Sequence, residues 1–131
     1  MGLIAVLVAA LAGFAVGAAW YMTLSRPWLA AAEIPCDDSG QPEGGFSPLP
    51  FIISGIAMLL VAGMMRHILA MAGIEGAGKS AMVGLGIGLF MITPWVAMNY
   101  AYGRRKPALT LLDGAYSVLG PTVIGLVLGL F

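Results

Sequence analysis

Four long apolar segments make up most of this 131-residue chain, and they constrain its fold more than any other feature. The first segment, residues 2–24, contains no charged residue, and about 20 apolar residues are enough to cross the hydrocarbon core of a bilayer. Only 9% of all residues are charged, against about a quarter in a soluble domain. A soluble chain this short cannot bury so much apolar surface. The sequence therefore predicts an integral membrane protein.

The predicted fold is all-α: one membrane domain, residues 1–131, built as a four-helix bundle with short loops and one longer first loop. The apolar runs are continuous rather than alternating, which favours helices over the strands of a barrel. Pro94 and Pro121 lie inside predicted helices and are candidate kinks. Residues 28–34 could form a short helix at the membrane interface. The spans are predicted at residues 2–24, 49–72, 80–101 and 111–131.

Positive charge is unevenly distributed between the predicted loops. Arg26 and the basic turn at residues 104–106 belong to the first and third loops, whereas Lys79 and Arg66 lie on the other side. Short cytoplasmic loops carry an excess of Lys and Arg. We therefore expect the basic turn in the cytoplasm and both termini on the outer side of the membrane.

Polar and aromatic side chains are concentrated at the predicted cytoplasmic ends of the first, third and fourth helices. Spacing of three and four residues puts Asp113 and Tyr116 on one face of the last helix. The same spacing aligns Gly84, Gly88, Trp95 and Asn99 on the third. These faces could meet in a polar layer that either holds the bundle together, which we expect, or binds a ligand or ion. The candidate residues of the layer are Trp20, Tyr21, Asn99, Asp113 and Tyr116.

Asp113 also has a purely local explanation. Thr110 and Asp113 have the spacing of a capping box at the start of the last predicted helix, where a carboxylate also favours the helix dipole. The sequence leaves open whether Asp113 is such a cap or a functional carboxylate.

Arg66 and His67 are the only ionisable residues well inside a predicted span, and such residues are functional candidates by default. Arg66 lies close enough to its helix end for the side chain to reach the interface, where Glu75 could pair with it. A single histidine without a second ligand is poor evidence for a metal site. We therefore treat this pair as a secondary candidate and expect no metal and no cofactor.

Residues 73–80 (GIEGAGKS) fit the phosphate-binding pattern G-x-x-x-x-G-K-[ST]. That motif needs a preceding strand and a nucleotide-binding sheet, for which this chain has no room. We expect a glycine-rich turn with Ser80 as helix N-cap and no bound nucleotide. Net charge is formally zero, so nucleic acid is not an expected partner. One histidine, one cysteine and scattered carboxylates do not make a catalytic site, and no enzyme is predicted.

Three pairs of glycines have the four-residue spacing that lets membrane helices approach closely. They would pack either inside one chain or between copies. The ends of the first and third spans also resemble each other, which either reflects a duplicated helical hairpin or two sets of interfacial aromatic and basic residues. The glycines are Gly13, Gly17, Gly84, Gly88, Gly125 and Gly129.

Short motifs spread along the chain resemble the bacterial membrane-protein family catalogued as domain of unknown function 1761: residues 17–21 (GAAWY), residues 27–28 (PW), Asn99 and residues 111–116 (LLDGAY). The resemblance covers essentially the whole chain. It implies a small bacterial protein with about four spans, directs attention to Trp20, Tyr21, Asn99 and Asp113, and implies no activity. The long first loop and the Arg66–His67 pair do not match the family pattern.

The expected function is that of a structural or accessory bundle in the bacterial cytoplasmic (inner) membrane, which self-associates or packs against a larger membrane complex. The alternative is a small oligomeric transporter or channel that uses the polar layer. A scaffold predicts that Asn99, Asp113 and Tyr116 bond to one another or to backbone, whereas a transporter predicts that they line a cavity.

Overall fold

The computed structural model describes residues 2–45 and 47–131. In these residues it contains five helical rods and no strand. The rods are α1 (Gly2–Thr23), the short α2 (Ser25–Ala31), α3 (Leu49–Ala72), a rod made of α4 (Ala77–Ile87), a π-helical segment (Gly88–Ile92) and α5 (Thr93–Tyr102), and α6 (Pro107–Gly129). Four of them, all except α2, are long and apolar enough to cross a membrane. The predicted all-α fold is thus confirmed.

Proline and glycine define several helix ends. Pro107 is the first residue of α6, where its missing N–H costs nothing and its fixed φ suits a helix. The last helix therefore begins at Pro107 rather than near Leu111. Gly73 ends α3 in the left-handed conformation, with φ of 64°, and its N–H bonds back to the last turn. Such a C-terminal glycine is common because the conformation is strained for other residues.

The core of the bundle is built around α6, which contacts every other helix. Its buried side chains Ile124 and Leu128 pack against small and flexible residues, among them Ala5 and Ala9 of α1 and Met65 of α3. Alanines at these positions let the helices lie close together, as is usual where lipid rather than water surrounds a bundle. A second, smaller cluster joins α2 to the start of α6.

The six predicted packing glycines all lie at contacts inside the chain. A Cβ atom at Gly84 or Gly125 would overlap the backbone carbonyl of Pro121 or Ser80, respectively. Gly88 and Gly129 meet the α6 and α4 backbones in the same way, while Gly13 and Gly17 meet the side chains of Ile124 and Tyr116. The backbones of α4 and α6 therefore touch along their length, which only glycine permits.

The π-helical segment changes which residues of the third span face α6. In it, the Thr93 N–H donates to the Gly88 carbonyl five residues back, so one extra residue is accommodated in the turn. Gly84 before the segment and Gly88 at its start are buried against α6. After the segment, Trp95 is 66% exposed and Asn99 is exposed. The predicted common face of these four residues is therefore wrong beyond Gly88. The sequence predicts a kink at Pro94, and the irregularity that the structure shows there is the π turn at Gly88–Ile92, just before Pro94.

The loop between α2 and α3 has some local order in its described residues. Cys36 and Pro42 form an isolated β-bridge. The Asp37 carboxylate accepts hydrogen bonds from the Ser39 hydroxyl and from the Gln41 N–H. These bonds, led by that of Ser39, lower the pKa of Asp37 below its ordinary value. Cys36 itself is an exposed free thiol.

Candidate functional site

One carboxylate joins four helical elements at the end of the bundle that bears α2 and the basic turn. Asp113, in the second turn of α6, accepts three hydrogen bonds from aromatic side chains. Tyr21 OH of α1 and Trp28 Nε1 of α2 donate to Oδ1 over 2.7 Å and 2.9 Å. Tyr100 OH of α5 donates to Oδ2 over 2.5 Å. We call Tyr21, Trp28, Tyr100 and Asp113 the Asp113 clasp.

The rings of the clasp and its neighbour Tyr116 pack edge to face. Tyr21 meets Trp28 with centroids 5.9 Å apart at 78°, and Tyr116 with centroids 5.5 Å apart at 77°. This is the arrangement that the ring quadrupoles favour. The Tyr116 hydroxyl is not part of the carboxylate's hydrogen bonding, because it donates over 2.7 Å to the Gly13 carbonyl of α1.

Backbone carbonyls of α6 accept further bonds around the clasp. Trp20 Nε1 donates to the Leu112 carbonyl over 3.1 Å. Thr93 Oγ1, the first residue after the π turn, donates to the Gly114 carbonyl over 3.2 Å. These bonds hold α1 and α5 against the same turn of α6 that bears Asp113. Among the predicted residues of the polar layer, Trp20, Tyr21, Asp113 and Tyr116 are thus bonded to one another or to backbone.

The capping-box interpretation of Asp113 is wrong. The N-cap of α6 is Lys106, whose side chain forms no cap hydrogen bond, and Thr110 lies inside the helix rather than before it. The reason is that α6 begins at Pro107, which moves Asp113 into the second turn. Its carboxylate there points to other helices instead of its own N–H groups.

The structure brings together four of the five predicted residues of the polar layer, namely Trp20, Tyr21, Asp113 and Tyr116. Asn99 is not among them, because it is exposed and its side chain bonds to no described residue. Tyr100 takes its place as a consequence of the π turn. Trp28 was not among the predicted residues of the polar layer. The seven residues of α2 fold it back onto α6, and the sequence signals for it were the predicted interfacial helix and the family motif at residues 27–28.

The clasp contains no cation. In the described part of the chain no side chain forms an ion pair with Asp113; the nearby Arg105 instead donates to the Ala32 carbonyl over 2.6 Å. Neutral hydroxyl and indole donors thus replace water around the carboxylate. The described residues also contain no group of three His, Cys, Asp or Glu that could hold a metal. Chemically, the arrangement is a hydrogen-bond acceptor shared among helices.

Arg66 and His67 lie at the opposite end of the bundle, and both are exposed. The Arg66 guanidinium lies against Gly2 at the start of α1. Arg66 and Glu75 form no ion pair with each other, so that predicted pairing is wrong. Neither residue of the pair contributes to the clasp.

The glycine-rich turn at residues 73–80 is preceded by α3 rather than by a strand. The N-cap of α4 is Gly76, with φ of 92°, and Ser80 lies inside the first turn. The prediction of Ser80 as N-cap is therefore wrong, because only glycine adopts this backbone conformation without strain. The Ser80 side chain is 1% exposed and its hydroxyl has no hydrogen-bond partner.

Two surface cavities lie away from the clasp. One follows the loop residues 37–45. The other, of about 510 Å³, lies at the opposite end of the bundle between the last turn of α3, the start of α4 and the end of α6. Neither is lined by a residue of the clasp.

Fold and site together define a class of protein: a small helical bundle with four helices long and apolar enough to span a membrane. The carboxylate of Asp113 in its last helix links that helix to three others. A family model described as "Protein of unknown function (DUF1761)" matches residues 4–129. The chain belongs to this family, as its motifs indicated. No curated protein matches the chain, and no solved structure matches it.

Proposed function

We propose that this protein is a structural or accessory bundle of the bacterial inner membrane, which self-associates or packs against a larger membrane complex. The observation that supports this most is the bonding of Asp113. It is the only acidic residue in any described helix, and both its oxygens bond to other helices of the same chain. The proposal assigns the protein no catalytic role.

The energetics of the polar layer favour a structural role. A polar group without a partner is costly in lipid, where no water replaces the lost bonds. Asp113 meets three donors, and Trp20, Tyr116 and Thr93 donate to backbone carbonyls. A ligand that used this carboxylate would first have to displace donors that hold α1, α2 and α5 against α6. The polar layer is therefore better suited to holding the helices together than to binding and releasing a ligand.

Small residues on the outer surface support association with another helix. Gly55 and Gly63 of α3 have no atom within 4 Å of where a Cβ would lie, unlike the six glycines used inside the chain. Such residues let a second membrane helix approach closely. Around them α3 exposes large apolar side chains such as Ile52 and Leu60, which suit either lipid or a partner span. We therefore assign α3 as the association face.

The experiment is purification in a mild detergent, with the mass of the protein part of the particle measured by light scattering and co-purifying proteins identified. We expect a homo-oligomer or a stable larger complex. Gly55→Leu combined with Gly63→Leu should shift the protein to the monomer, while Ser54→Leu on the same helix should not. A monomer without a partner for the wild type would contradict the proposal, provided that its helical circular dichroism is intact.

A small oligomeric transporter or channel is the second candidate, and one observation favours it. The π-helical turn ends at Ile92, about two turns of helix before Tyr100 of the clasp, and such turns are frequent at functional sites. This function requires the clasp to open. It is tested by solute or ion flux in liposomes with the wild type and Tyr100→Phe, and flux that depends on Tyr100 would favour it over the scaffold.

A further inference from the structure

The cavity at the end of the bundle opposite the clasp combines charges of both signs with apolar walls. Arg66 at the end of α3 and Glu75 in the following link both line it. Although they share the cavity, they form no ion pair with each other. Leu69 and Leu128, both nearly buried, form its inner wall. Among the described residues, neither charge forms an ion pair.

One unbonded hydroxyl belongs to a residue that lines the same cavity, and the start of α4 lies beside that cavity. The hydroxyl of Ser80, a lining residue, is buried and unbonded, although most buried hydroxyls are bonded. Beside it, α4 begins at Ala77, and no side chain caps its first N–H groups. Such a helix start carries a partial positive charge and favours an anionic group.

The position of the cavity restricts what could fill it. It lies where the ends of α3, α4 and α6 meet, at the boundary between apolar spans and water-exposed links. An anion alone would meet Arg66 and the helix start but would be repelled by Glu75. A cation alone would be attracted by Glu75 but repelled by Arg66 and by the helix start. A group with a phosphate and an ammonium separated by a short linker satisfies both.

We propose that this cavity binds the headgroup of a zwitterionic phospholipid with a primary amine, phosphatidylethanolamine. The phosphate accepts hydrogen bonds from Arg66, the α4 N–H groups and Ser80, and charge-assisted bonds of this kind are the strong ones. The ammonium donates to Glu75, and the acyl chains follow Leu69 and Leu128 into the bilayer. The site is independent of the Asp113 clasp and of the proposed scaffold role.

The test is lipid retention by the purified protein, released from nanodiscs containing equal amounts of phosphatidylethanolamine, phosphatidylcholine and phosphatidylglycerol and measured by native mass spectrometry. We expect the wild type to retain phosphatidylethanolamine preferentially. Arg66→Gln should lower retention about tenfold, since hydrogen bonds to charged groups contribute that much to binding. Arg26→Gln at the opposite end is the control and should leave retention unchanged.

Glu75→Gln tests the ammonium separately, and it lies in an exposed link where it does not disturb a helix. It should abolish the preference for phosphatidylethanolamine over the other two lipids. Ser80→Ala should weaken retention while leaving the thermal midpoint in lipid-free detergent unchanged or raised, because it removes an unbonded hydroxyl. A purely structural serine would give a lowered midpoint and unchanged retention.

Three results would overturn the proposal. The first is a wild type that retains the three lipids equally. The second is Glu75→Gln or a folded Arg66→Gln that retains phosphatidylethanolamine as the wild type does. The third is full displacement of the lipid by millimolar glycerophosphoethanolamine or inorganic phosphate, which would identify a soluble ligand instead of a lipid.

Discussion

At the scale of single residues, Asp113 explains most of the order at its end of the bundle. Five of the six acidic residues lie in loops or links, and only Asp113 lies in a helix. A helical carboxylate in an apolar bundle requires donors, because an ionised group is expensive to bury unpaired. Tyr21, Trp28 and Tyr100 supply them from three different helices. One side chain therefore organises the packing of four elements.

Replacing Asp113 should destabilise the protein measurably. Asp113→Ala leaves three donors without their acceptor, and we expect it to lower the free energy of unfolding by about 3 kcal/mol, with Asp113→Asn intermediate. The measurement is denaturation in micelles followed by far-ultraviolet circular dichroism. The control is Asp38→Ala in the exposed loop, for which we expect a change within about 0.5 kcal/mol. Equal stability of the two alanine variants would contradict the role of the clasp.

At the scale of elements, the π turn decides which residue of α5 reaches Asp113. An unbroken α-helix from Gly84 would direct Asn99 toward α6, whereas the extra residue in the turn directs Tyr100 there. Pro94 follows immediately and has no N–H to donate, so the regular hydrogen-bond pattern is interrupted at this place in any case. The same logic applies in α6, where Pro121 leaves the Ser117 carbonyl without a helical donor and that carbonyl lies against Gly88.

The register shift predicts opposite outcomes for two adjacent residues. Tyr100→Phe removes a hydrogen bond to a carboxylate and should cost about 1.5–3 kcal/mol of unfolding free energy. Asn99→Ala, on the exposed side, should change it by no more than about 0.5 kcal/mol. Both are measured by the same micellar denaturation. The reverse order of the two effects would mean that the third span is a regular helix.

The glycine contacts of α4 make a second pair of opposite predictions. Gly84→Ala places a methyl group against the Pro121 carbonyl, and we expect a loss of about 1–3 kcal/mol from overpacking. Gly86→Ala, two residues along the same helix, has open space around it and should stabilise by up to about 1 kcal/mol, because alanine is the better helix former. The two variants are compared by thermal denaturation in detergent. A Gly84→Ala variant as stable as the wild type would contradict the close backbone contact between α4 and α6.

The short helix α2 is too short to be stable alone, so its order depends on contacts with α6. The Trp28 indole bonds to Asp113, and the buried Ala31 packs against Leu109. Trp28→Phe should therefore speed amide hydrogen exchange in Ser25–Ala31 while exchange in α3 stays unchanged. Trp95→Phe, which alters an exposed tryptophan, serves as the control and should affect neither. Unchanged exchange in α2 would mean that the indole bond is dispensable.

At the scale of the whole molecule, α6 is the central helix and separates two distinct polar regions. The Asp113 clasp and the basic turn lie at one end, and the cavity with Arg66, Glu75 and Ser80 lies at the other. Between them the glycine contacts join α4 to α6 along the length of α4. The helices are thus held together by hydrogen bonds at one end of the bundle and by backbone contact between α4 and α6 along the rest.

Membrane orientation can be tested with the single cysteine. Cys36 is exposed, and it lies in the first loop, which we expect in the cytoplasm together with the basic turn. In intact bacterial cells it should react with a membrane-permeant maleimide and be protected from a charged, impermeant one. A matched variant with Cys36→Ser and Met71→Cys should show the opposite pattern, since Met71 is exposed near the other end. Labelling of Cys36 by the impermeant reagent would reverse the assigned orientation.

The class of fold and the neighbourhood of the site follow from the order of the residues alone. Hydropathy is a sum over local residues, so four apolar runs are sufficient to predict four helices that can span a membrane. Polar and aromatic residues at three helix ends were sufficient to place Trp20, Tyr21, Asp113 and Tyr116 near one another. The family motifs lie in these same segments.

Which atoms meet depends on how the helices pack and where they break. The π turn after Ile87 shifts the register of α5 by one residue, and α2 folds back onto α6. The start of α6 at Pro107 places Asp113 inside the helix instead of at its N-terminus. For that reason Tyr100 and Trp28 bond to Asp113 while Asn99 faces outward, and Arg66 lies against Gly2 instead of pairing with Glu75. Helical periodicity fixes relative positions within one unbroken helix, but breaks in the helix and contacts between helices set the final register.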